Sequence, residues 1–302
     1  MRIAIVTTSY PAHEGDASGH FIEHEARDLE RAGHDVTVIK PAPGGAFGWP
    51  GALARIRERP LRVLDAARFV QGARRSLASF EPDRVIAHWL VPSGFPIALA
   101  ARKSELEVVV HGSDLRLLER LPRPLTQTII ARLVSRDARF RCVSHDLRER
   151  LRALAPVTAA RVAPCAIDVS FAPTRTTARA DLELADDALV VLVVGRLVAS
   201  KRTDVALVAA SLLGADVVVI GDGPERARLE RGFPAACFLG QQDRAQTLAW
   251  IAAADLLLSA SRDEGSPTAI REARALGTPV VCTRCGDLAD WAIRDPELHV
   301  IG

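Results

Sequence analysis

Short apolar segments alternate with longer amphipathic segments along the first half of the chain. The apolar segments are rich in Val and Ile and predict β-strands. They cover 2–8, 35–40, 84–89, 107–112 and 139–144. The amphipathic segments between them predict helices, the first from His20 to Arg31. Strands separated by helices favour a parallel sheet that is covered on both faces.

The same alternation begins again after a polar stretch at 173–187, which we interpret as a linker or the beginning of a second domain. Predicted strands follow at 188–195, 216–221, 236–240, 255–260 and 279–283, and predicted helices at 201–213, 224–231, 243–254 and 267–276. The pattern therefore predicts an α/β protein with two doubly wound parallel-sheet units in tandem. We expect the first domain to span 1–172 and the second to span 173–302.

None of the apolar segments is long enough to cross a membrane. The most apolar, 188–195, is far shorter than the roughly 20 residues that a membrane-spanning helix needs. The N-terminal sequence MRIAIVTTSYP turns polar after a short apolar stretch, so it predicts a first strand rather than a signal peptide. With 48% hydrophobic and 25% charged residues, the composition is that of a globular protein, which we expect in the cytoplasm.

The cysteine pattern gives little support for a metal or redox site. Five cysteines are present, and Cys282 and Cys285 form one C-x-x-C pair. A structural zinc site needs four ligands, and the sequence has no second C-x-x-C pair. We therefore expect no bound metal and buried or incidental thiols in a reducing compartment, with a redox or metal role as the alternative.

The net charge of +2 hides an uneven distribution. Residues 1–165 carry 25 Lys and Arg against 18 Asp and Glu, a net +7, and residues 166–302 carry 14 against 19, a net −5. Much of the basic excess lies in 52–80, where arginines alternate with apolar residues. This segment predicts binding to an anionic membrane surface, and the alternative is a solvated helix face. We expect no nucleic-acid partner.

The loops that follow the predicted strands carry most of the candidate chemistry, because ligands of open parallel sheets bind beyond the carboxyl ends of the strands. One such loop, GRLVASKR at 195–202, begins with Gly195 at a tight turn. Arg196 and Lys201 then provide cations close to a helix N-terminus, an arrangement that suits a diphosphate. The alternative is that both cations are solvated.

Two other loops argue against familiar nucleotide-binding motifs. The loop at 7–20 contains Gly15 and Gly19 but no Walker lysine, which disfavours a P-loop NTPase. GDGPE at 221–225 is not G-x-G-x-x-G, so a nicotinamide dehydrogenase is disfavoured as well. Gly15 and Gly19 would let backbone N–H groups approach a ligand, or would simply make a surface loop.

Two histidines lie at the ends of predicted strands. His88 precedes Trp89, and His111 begins the sequence HGSD. His111 could form a hydrogen bond with a substrate hydroxyl or stabilise developing charge. Asp114 could cap the helix that follows. On the residues alone, a structural role for both histidines stays open.

The stretch DEGSPTAIREARALGTPVV at 263–281 holds two glutamates. Ser266 predicts an N-cap with Pro267 at the first helical position, and the helix should end at the following glycine. Glu264 then precedes the helix and Glu272 lies inside it, so at about 1.5 Å per residue the carboxylates should be on the order of 10 Å apart. Retaining glycosidases need about 5 Å. The spacing suits two parts of one extended ligand, and the alternative is two ordinary helix acids.

Taken together, these loops resemble family 4 of the retaining GT-B glycosyltransferases, also called group 1 glycosyltransferases. The motifs that carry the resemblance are VVGRLVASKR, VIGDGPE, ACFLGQQDRAQTLAWIAAADLLLSAS and DEGSPTAIREARALGTPVV, with TTSYPAHEGDASGHFIEHEARDLERAGHDVTVI and VVVHGSD in the first half. The resemblance implies two Rossmann-like domains that face each other across a cleft. It also implies metal-independent hexosyl transfer in cell-envelope biosynthesis, from a nucleotide sugar such as a UDP- or GDP-sugar to a glycan, polysaccharide or lipid-linked acceptor, without a cofactor.

The resemblance assigns roles to residues of this sequence. It implies donor binding by Gly15, Gly19, Arg196, Lys201, Gly240, Gln241, Gly265, Ser266, Pro267 and Glu272. Arg196 and Lys201 would neutralise the diphosphate, and Glu272 would bind the ribose hydroxyls. His111 and Glu264 would contact the transferred sugar and are the candidate catalytic residues.

The other donor-binding residues would act mainly through the main chain. Residues 265–267 would lie near the sugar or the phosphate, although Pro267 has no N–H to donate. The loop with Gly15 would close over the diphosphate. Gly240 and Gln241 would approach the base.

Two departures from the family pattern are present. The first-domain loop has Gly15-Asp16 where the family commonly has Gly-Gly, and the chain ends at DPELHVIG where family members usually continue. We therefore expect a form shortened at the C-terminus. We expect the protein in the cytoplasm or at the inner face of the membrane. Two alternative functions are a GT-B nucleotide-sugar epimerase and a non-catalytic nucleotide-sugar-binding protein.

Overall fold

The computed structural model of the chain describes residues 1–13, 15–16, 18–47, 51–157 and 159–302. These residues form two compact units. The first contains 1–12 and 18–166, and the second contains 13–17 and 167–302. The short segment 13–17 therefore belongs with the second unit, although it follows the first strand in sequence. Among the described residues, no helix has both the length and the apolar composition that crossing a membrane requires.

A parallel sheet of six strands lies at the centre of the first unit. The strands are β1 Arg2–Val6, β2 Asp35–Ile39, β3 Arg84–His88, β4 Glu105–Val110, β5 Arg139–Cys142 and β6 Ala160–Val162. Their order is β2-β1-β3-β4-β5-β6. All residues of β1 after the first are buried, as are all residues of β4 after the first, so both faces of the central strands are covered.

Helices supply that cover. They are α1 His20–Arg31, α2 Ala52–Glu58, α3 Arg62–Phe80, α4 Ser113–Glu119, α5 Arg123–Val134 and α6 His145–Leu154, with irregular helical turns at Leu90–Ile97 and a 3₁₀ turn at Ala98–Ala100. Ile22 of α1, Leu77 of α3 and Ile130 of α5 are fully buried in one continuous core with the strands. The apolar stripes of these helices therefore determine how they pack on the sheet.

The second unit repeats this architecture. Its strands are β7 Val190–Val194, β8 Asp216–Ile220, β9 Cys237–Gly240, β10 Leu256–Ser259, β11 Val280–Thr283 and β12 Leu298–Ile301, in the order β12-β11-β10-β7-β8-β9. Its helices are α7 Arg175–Asp181, α8 Thr203–Ser211, α9 Arg226–Gly232, α10 Arg244–Ala253, α11 Thr268–Ala275 and α12 Leu288–Ala292. Val190 and Leu192 face one hydrophobic cluster and Val191 and Val193 face another, so this sheet too is covered on both sides.

The predicted two-sheet α/β architecture is confirmed. The prediction lacked β6 and β12, which lie at the edges of the two sheets. Edge strands are half solvated, and Arg161 and His299 within them are exposed, so neither segment shows the apolar run by which the central strands were identified.

The polar stretch at 173–187 is more than a linker, because it contains α7. Thr174 caps this helix by accepting a hydrogen bond from the backbone N–H of Thr177, and Ala178 is fully buried. Arg175 donates to Asp255 at 2.5 Å. The stretch therefore forms part of the second unit, which agrees with the second of the two interpretations drawn from the sequence.

Candidate active site

The strand order of the second unit brings two distant loops together. β10 pairs directly with β7, with Leu256 opposite Val191, although β8 and β9 intervene in sequence. The chain leaves β7 toward β8 on one side and returns to β10 on the other. Loops that follow the two strands at such a reversal border a crevice, which is the usual ligand-binding position in open α/β sheets.

Glycines allow two loops to meet at this edge of the sheet. Gly221 has φ of 134°, and a Cβ added to it would lie 1.9 Å from the carbonyl oxygen of Gly195. A Cβ on Gly223 would lie 2.3 Å from the carbonyl oxygen of Leu197. Any side chain at either position would therefore push the loop after β8 away from the loop after β7.

Lys201 and Glu264 meet at the reversal point. Lys201 ends a 3₁₀ turn after β7, Glu264 lies in the loop after β10, and the Lys201 ammonium donates to Oε1 of Glu264. Their side chains are 25% and 12% exposed. Lys201 is therefore not the solvated cation of the alternative interpretation. Arg196 lies in the same loop as Lys201 and is half-buried.

Two cysteines lie in the electrostatic range of this pair. Burial, followed by the nearby Glu264 carboxylate, raises the pKa of Cys282 to about 11 and that of Cys285 to about 12. Both side chains are buried. Thiols in this state are poor nucleophiles and poor metal ligands. The C-x-x-C pair thus fits the expectation of buried thiols better than a redox or metal role.

The helix after Glu264 begins one residue later than predicted. α11 starts at Thr268 with Pro267 at the N-cap, and no side chain caps it, so the prediction of Ser266 as N-cap is wrong. Pro267 is extended, with ψ of 111°, and this conformation keeps it outside the helix. The Oγ atom of Ser266 is buried and has no hydrogen-bond partner among the described residues. Gly265 beside it is buried.

Glu272 lies inside α11 and is 2% exposed, so the alternative of a solvated glutamate is wrong. Its Oε1 lies 2.8 Å from Nη1 of Arg244 on α10. A second nitrogen of the Arg244 guanidinium, Nη2, donates to the carbonyl of Asp168 at 2.8 Å. Glu264 and Glu272 are thus each paired with a different cation. The sequence reasoning missed Arg244, which was only one of many arginines on predicted helices.

Two predicted glycines of this unit, Gly15 and Gly240, lie near the start of α10. The backbone N–H of Arg244 donates to the carbonyl of Gly15 at 3.0 Å. Gln241 donates through Nε2 to Asp16 at 3.3 Å. Gly240, with φ of 74°, ends β9, and a Cβ there would lie 2.7 Å from a guanidinium nitrogen of Arg226. The segment 13–17 therefore contacts the same short stretch that carries the partner of Glu272.

The first unit places the two histidines side by side. β3 and β4 are neighbours, and His88 at the end of β3 lies opposite Val109 of β4, just before His111. Nδ1 of His88 and Nε2 of His111 are 3.0 Å apart. The His111 ring also lies 4.7 Å from the Trp89 ring and 5.4 Å from the Phe21 ring, measured between centroids. His88 is fully buried, and His111 is partly exposed.

Both imidazoles are neutral over the physiological range. Burial, and then the positive charge of Arg141, lowers the pKa of His111 to about 3. Burial also lowers the pKa of His88 well below its ordinary value, with further lowering by His111 and Arg141. A neutral imidazole donates through one nitrogen and accepts through the other. His111 is therefore suited to a hydrogen bond with a hydroxyl rather than to stabilising negative charge as a cation.

Asp114 holds the loop that carries His111. Its carboxylate accepts hydrogen bonds from the backbone N–H groups of Leu90 at 2.8 Å, Gly112 at 2.9 Å and His111 at 3.3 Å. Gly112, not Asp114, occupies the N-cap of α4, so the capping expectation is replaced by a clamp between two strand-end loops. Burial raises the pKa of Asp114, and backbone donors that include Leu90 and Gly112 oppose the rise.

The remaining predicted glycine of the first unit is Gly19, which occupies the N-cap of α1. Its φ is 70°, and a Cβ there would lie 2.5 Å from the carbonyl oxygen of Ser9. The glycine is therefore required by the turn into α1. The described residues contain no group of three or more His, Cys, Asp or Glu side chains arranged to hold a metal ion.

The chain matches two models of protein families. The model described as Glycosyltransferase Family 4 matches residues 18–171, and the model described as Glycosyl transferases group 1 matches residues 188–298. It is 28% identical to a protein of Bacillus subtilis (strain 168), TuaC, provisionally assigned as a teichuronic acid biosynthesis glycosyltransferase, over 96% of this chain and 82% of that protein. It is 29% identical to the lipopolysaccharide core biosynthesis glycosyltransferase LpsE of Rhizobium meliloti (strain 1021), over 97% and 82%.

Solved structures show the same fold. Sucrose-phosphate synthase from Thermosynechococcus elongatus matches with a TM-score of 0.81 at 18% identity, covering 99% of this chain and 85% of that chain. HepE from Anabaena, in complex with UDP-glucose, matches with a TM-score of 0.68 at 20% identity, covering 96% and 82%. At these identities the similarity concerns the fold alone.

Proposed function

The chain belongs to glycosyltransferase family 4, and from this membership we propose that it transfers a hexosyl group from a nucleotide sugar to a glycan, polysaccharide or lipid-linked acceptor. It is a glycosyltransferase with the GT-B fold, and its relatives include glycosyltransferases assigned to teichuronic acid and lipopolysaccharide core biosynthesis. These relatives favour transfer over the alternatives of an epimerase and a non-catalytic binding protein.

The observation that carries the donor assignment is the pairing of Lys201 with Glu264 at the reversal point of the second sheet. A cation and a carboxylate side by side offer one group for a phosphate and one for sugar hydroxyls. Arg196 lies in the same loop as Lys201 and would add a second cation to the diphosphate. HepE, a structural neighbour, is known in complex with UDP-glucose, which supports a nucleotide-sugar donor.

Glu272 is the residue that we propose for the ribose hydroxyls. Arg244 holds Oε1 of this buried carboxylate at 2.8 Å, and such support fixes the orientation of the whole group. A carboxylate has acceptor sites on both oxygens, so it can accept from a ribose hydroxyl while it stays bound to Arg244. Gly240 and Gln241 would then approach the base, and Gly15 would approach the diphosphate.

Two further contacts would fix the sugar. His111, being neutral, would form a hydrogen bond with a sugar hydroxyl. Ser266 would contribute its Oγ atom, which has no hydrogen-bond partner among the described residues, and Gly265 would contribute its backbone N–H. Pro267 has no N–H and would serve only to shape the turn before α11.

The chemistry that we propose is metal-independent transfer with retention at the anomeric carbon. The bond from that carbon to the diphosphate oxygen breaks, and negative charge develops on the leaving diphosphate. The oxygen of the acceptor hydroxyl forms the new bond to the carbon, and the proton of that hydroxyl passes to the leaving diphosphate. Lys201 and Arg196 would stabilise that charge as it develops, which is where fixed cations lower a barrier most. No cofactor is required for this step.

We further propose that residues 52–80 bind an anionic membrane surface. They form α2 and α3, and Leu61, Val63 and Leu64 between and within these helices are 78%, 53% and 51% exposed. Arg57 and Arg59 on the same segment are exposed as well. Exposed leucines beside arginines suit the boundary between lipid headgroups and acyl chains. This would place the enzyme at the cytoplasmic face of a membrane, near a lipid-linked acceptor.

Calorimetry with UDP-, GDP- and ADP-sugars and with the free nucleoside diphosphates tests the donor assignment. Lys201→Ala and Arg196→Ala should each weaken binding of the preferred nucleoside diphosphate by about tenfold or more. Lys103→Ala is the matched control, because Lys103 is an exposed lysine of the first unit. Unchanged affinity in both the Lys201 and the Arg196 variants would overturn the assignment.

Glu264→Gln separates the sugar contact from the phosphate contact. It removes the carboxylate that now pairs with Lys201, so the nucleoside diphosphate should bind at least as tightly as before. Transfer to the acceptor should fall because the sugar loses an acceptor for its hydroxyls. Unchanged transfer in this variant, or a loss of nucleoside diphosphate binding, would contradict the proposed role of Glu264.

A further inference from the structure

A line of three side chains in the first unit begins at His111 and continues through His88 to Glu25. Nε2 of His111 lies 3.0 Å from Nδ1 of His88, and Nε2 of His88 lies 3.5 Å from Oε2 of Glu25 on α1. His88 is fully buried, and the Glu25 side chain is 18% exposed. His88 therefore lies between the Glu25 carboxylate and the imidazole of His111, which we propose forms a hydrogen bond with the donor sugar.

Arg141 fixes the carboxylate at the inner end of this line. Its Nη2 donates to Oε1 of Glu25 at 2.6 Å and to Oε2 at 2.8 Å. Its Nε lies 3.2 Å from Oε1 of Glu107, which is also bound by Arg84 and Arg161. Burial would raise the pKa of Glu107, but the three arginines outweigh it and hold the pKa below its ordinary value. Glu25 is thus part of a fixed charge network and can only accept hydrogen bonds.

This arrangement determines which nitrogen of His88 carries the proton. The Oε2 atom of Glu25 is an acceptor only, so an N–H on Nε2 of His88 is attracted to it, whereas a lone pair there would be repelled. With the proton on Nε2, Nδ1 of His88 must accept. The hydrogen bond of 3.0 Å to His111 then requires that Nε2 of His111 donates. The other nitrogen of His111, Nδ1, is left as an acceptor.

We infer that Glu25 is a positioning residue that acts through His88 to hold His111 in the Nε2–H tautomer, so that Nδ1 of His111 accepts a hydrogen bond from a hydroxyl of the donor sugar. This inference rests on the proposed function, in which His111 contacts that sugar. Neither Glu25 nor His88 touches the sugar. In hydrolytic triads a carboxylate behind an imidazole also sets its tautomer and orientation, there through a hydrogen bond. Here the carboxylate acts through a 3.5 Å approach of Oε2 of Glu25 to Nε2 of His88, which is outside hydrogen-bond geometry.

Tautomers can be measured directly in the full chain labelled with [¹⁵N]histidine. Long-range ¹H–¹⁵N correlation spectra distinguish a protonated ring nitrogen from an unprotonated one, and His111→Asn and His88→Asn assign the two rings. In the unaltered protein we expect Nε2 of His111 protonated and Nδ1 unprotonated. A protonated Nδ1 on His111 would overturn the inference, and this measurement needs no variant of Glu25.

Glu25→Gln tests the source of the tautomer. Arg141 would hold the amide oxygen, so the amide NH₂ would face His88 and reverse its donor and acceptor nitrogens, which moves the His111 proton to Nδ1. Glu25→Asp keeps an acceptor-only group and should keep the original tautomer. Circular dichroism checks that both proteins are folded. If the ring spectra of Glu25→Gln and the unaltered protein were then identical, the inferred relay, in which Glu25 sets the His111 tautomer through His88, would be overturned.

Kinetics separate this inference from the proposed function. Glu25→Gln should lower kcat for donor turnover by about tenfold or more while nucleoside diphosphate affinity stays unchanged, and Glu25→Asp should restore most of the rate. If the unaltered protein binds no nucleoside diphosphate, the proposed function fails while the tautomer spectra still decide the relay. If it binds and turns over the donor but Glu25→Gln has the same kcat, the relay fails alone.

Discussion

Arg244 and Glu272 form a buried ion pair in the second unit, with Nη1 and Oε1 2.8 Å apart and side chains 11% and 3% exposed. The carboxylate that we assign to the ribose is therefore already oriented by the protein. A charged group this deeply buried depends on its partner, because removing one member leaves the other without compensation in a low-dielectric setting.

Arg244→Met should destabilise the protein by about 3–5 kcal/mol, the usual effect of breaking a buried pair by removing one member. Arg244→Met combined with Glu272→Gln should recover most of this loss, because no charge is then left unpaired. Urea unfolding followed by circular dichroism measures both. A double variant no more stable than the single variant would show that the pair is not the source of the effect.

Gly221→Ala should destabilise the second unit by about 3 kcal/mol or more, because φ is 134° and the new Cβ would lie 1.9 Å from the carbonyl oxygen of Gly195. Gly72→Ala is the matched control. Gly72 lies inside α3 with nothing within 4 Å of an added Cβ, so alanine there should stabilise by about 0.5–1 kcal/mol. Thermal unfolding measures the midpoint temperature of both variants. If both midpoints moved in the same direction, the steric requirement for glycine at position 221 would be contradicted.

The two neutral histidines predict a loss of stability in mild acid. Burial and then Arg141 lower the pKa of His111 from 6.5 to about 3. Between these two values His111 is neutral in the folded protein and protonated in the unfolded chain. Stability is therefore complete above about pH 6.5 and falls toward pH 3, by up to about 1.4 kcal/mol per pH unit for each such histidine. Unfolding free energies measured between about pH 7 and pH 5 give the slope.

His111→Asn should reduce the slope of the unfolding free energy against pH, because one histidine that stays neutral in the folded state is removed. His299→Asn, at an exposed position on β12, is the matched control. An equal reduction of the slope in both variants would show that His111 is not the group responsible.

Membrane binding should depend on the exposed leucines of 52–80. Leu61→Asp and Leu64→Asp should reduce cosedimentation with vesicles that contain anionic lipid, and added salt should reduce binding of the unaltered protein, since each arginine near such a surface contributes about 1 kcal/mol. Leu212→Asp is the matched control, because Leu212 on the second unit is 81% exposed against 78% for Leu61. Equal loss in the control, or equal binding to uncharged vesicles, would contradict the proposed surface.

The sequence predicted the fold well because the central strands of both sheets are buried on both faces and read as continuous apolar runs, as in 188–195. It could not predict which cation meets which carboxylate. Arg141 and Glu25 are 116 positions apart, and their contact depends on how α1 packs on the sheet. The N-cap at 266 failed for a local reason, since Pro267 adopts an extended ψ just before the helix.

The resting contact between Lys201 and Glu264 has a consequence for ligand selection. A diphosphate that recruits Lys201 must draw it away from a carboxylate, so the net gain is the difference between two ion pairs. In the proposed function, a complete nucleotide sugar would provide hydroxyls that Glu264 can bind at the same moment. A nucleoside diphosphate without its sugar has no sugar hydroxyl that could replace Lys201 as the partner of Glu264. The exchange of partners would therefore favour the intact donor over its leaving group and help the enzyme release its product.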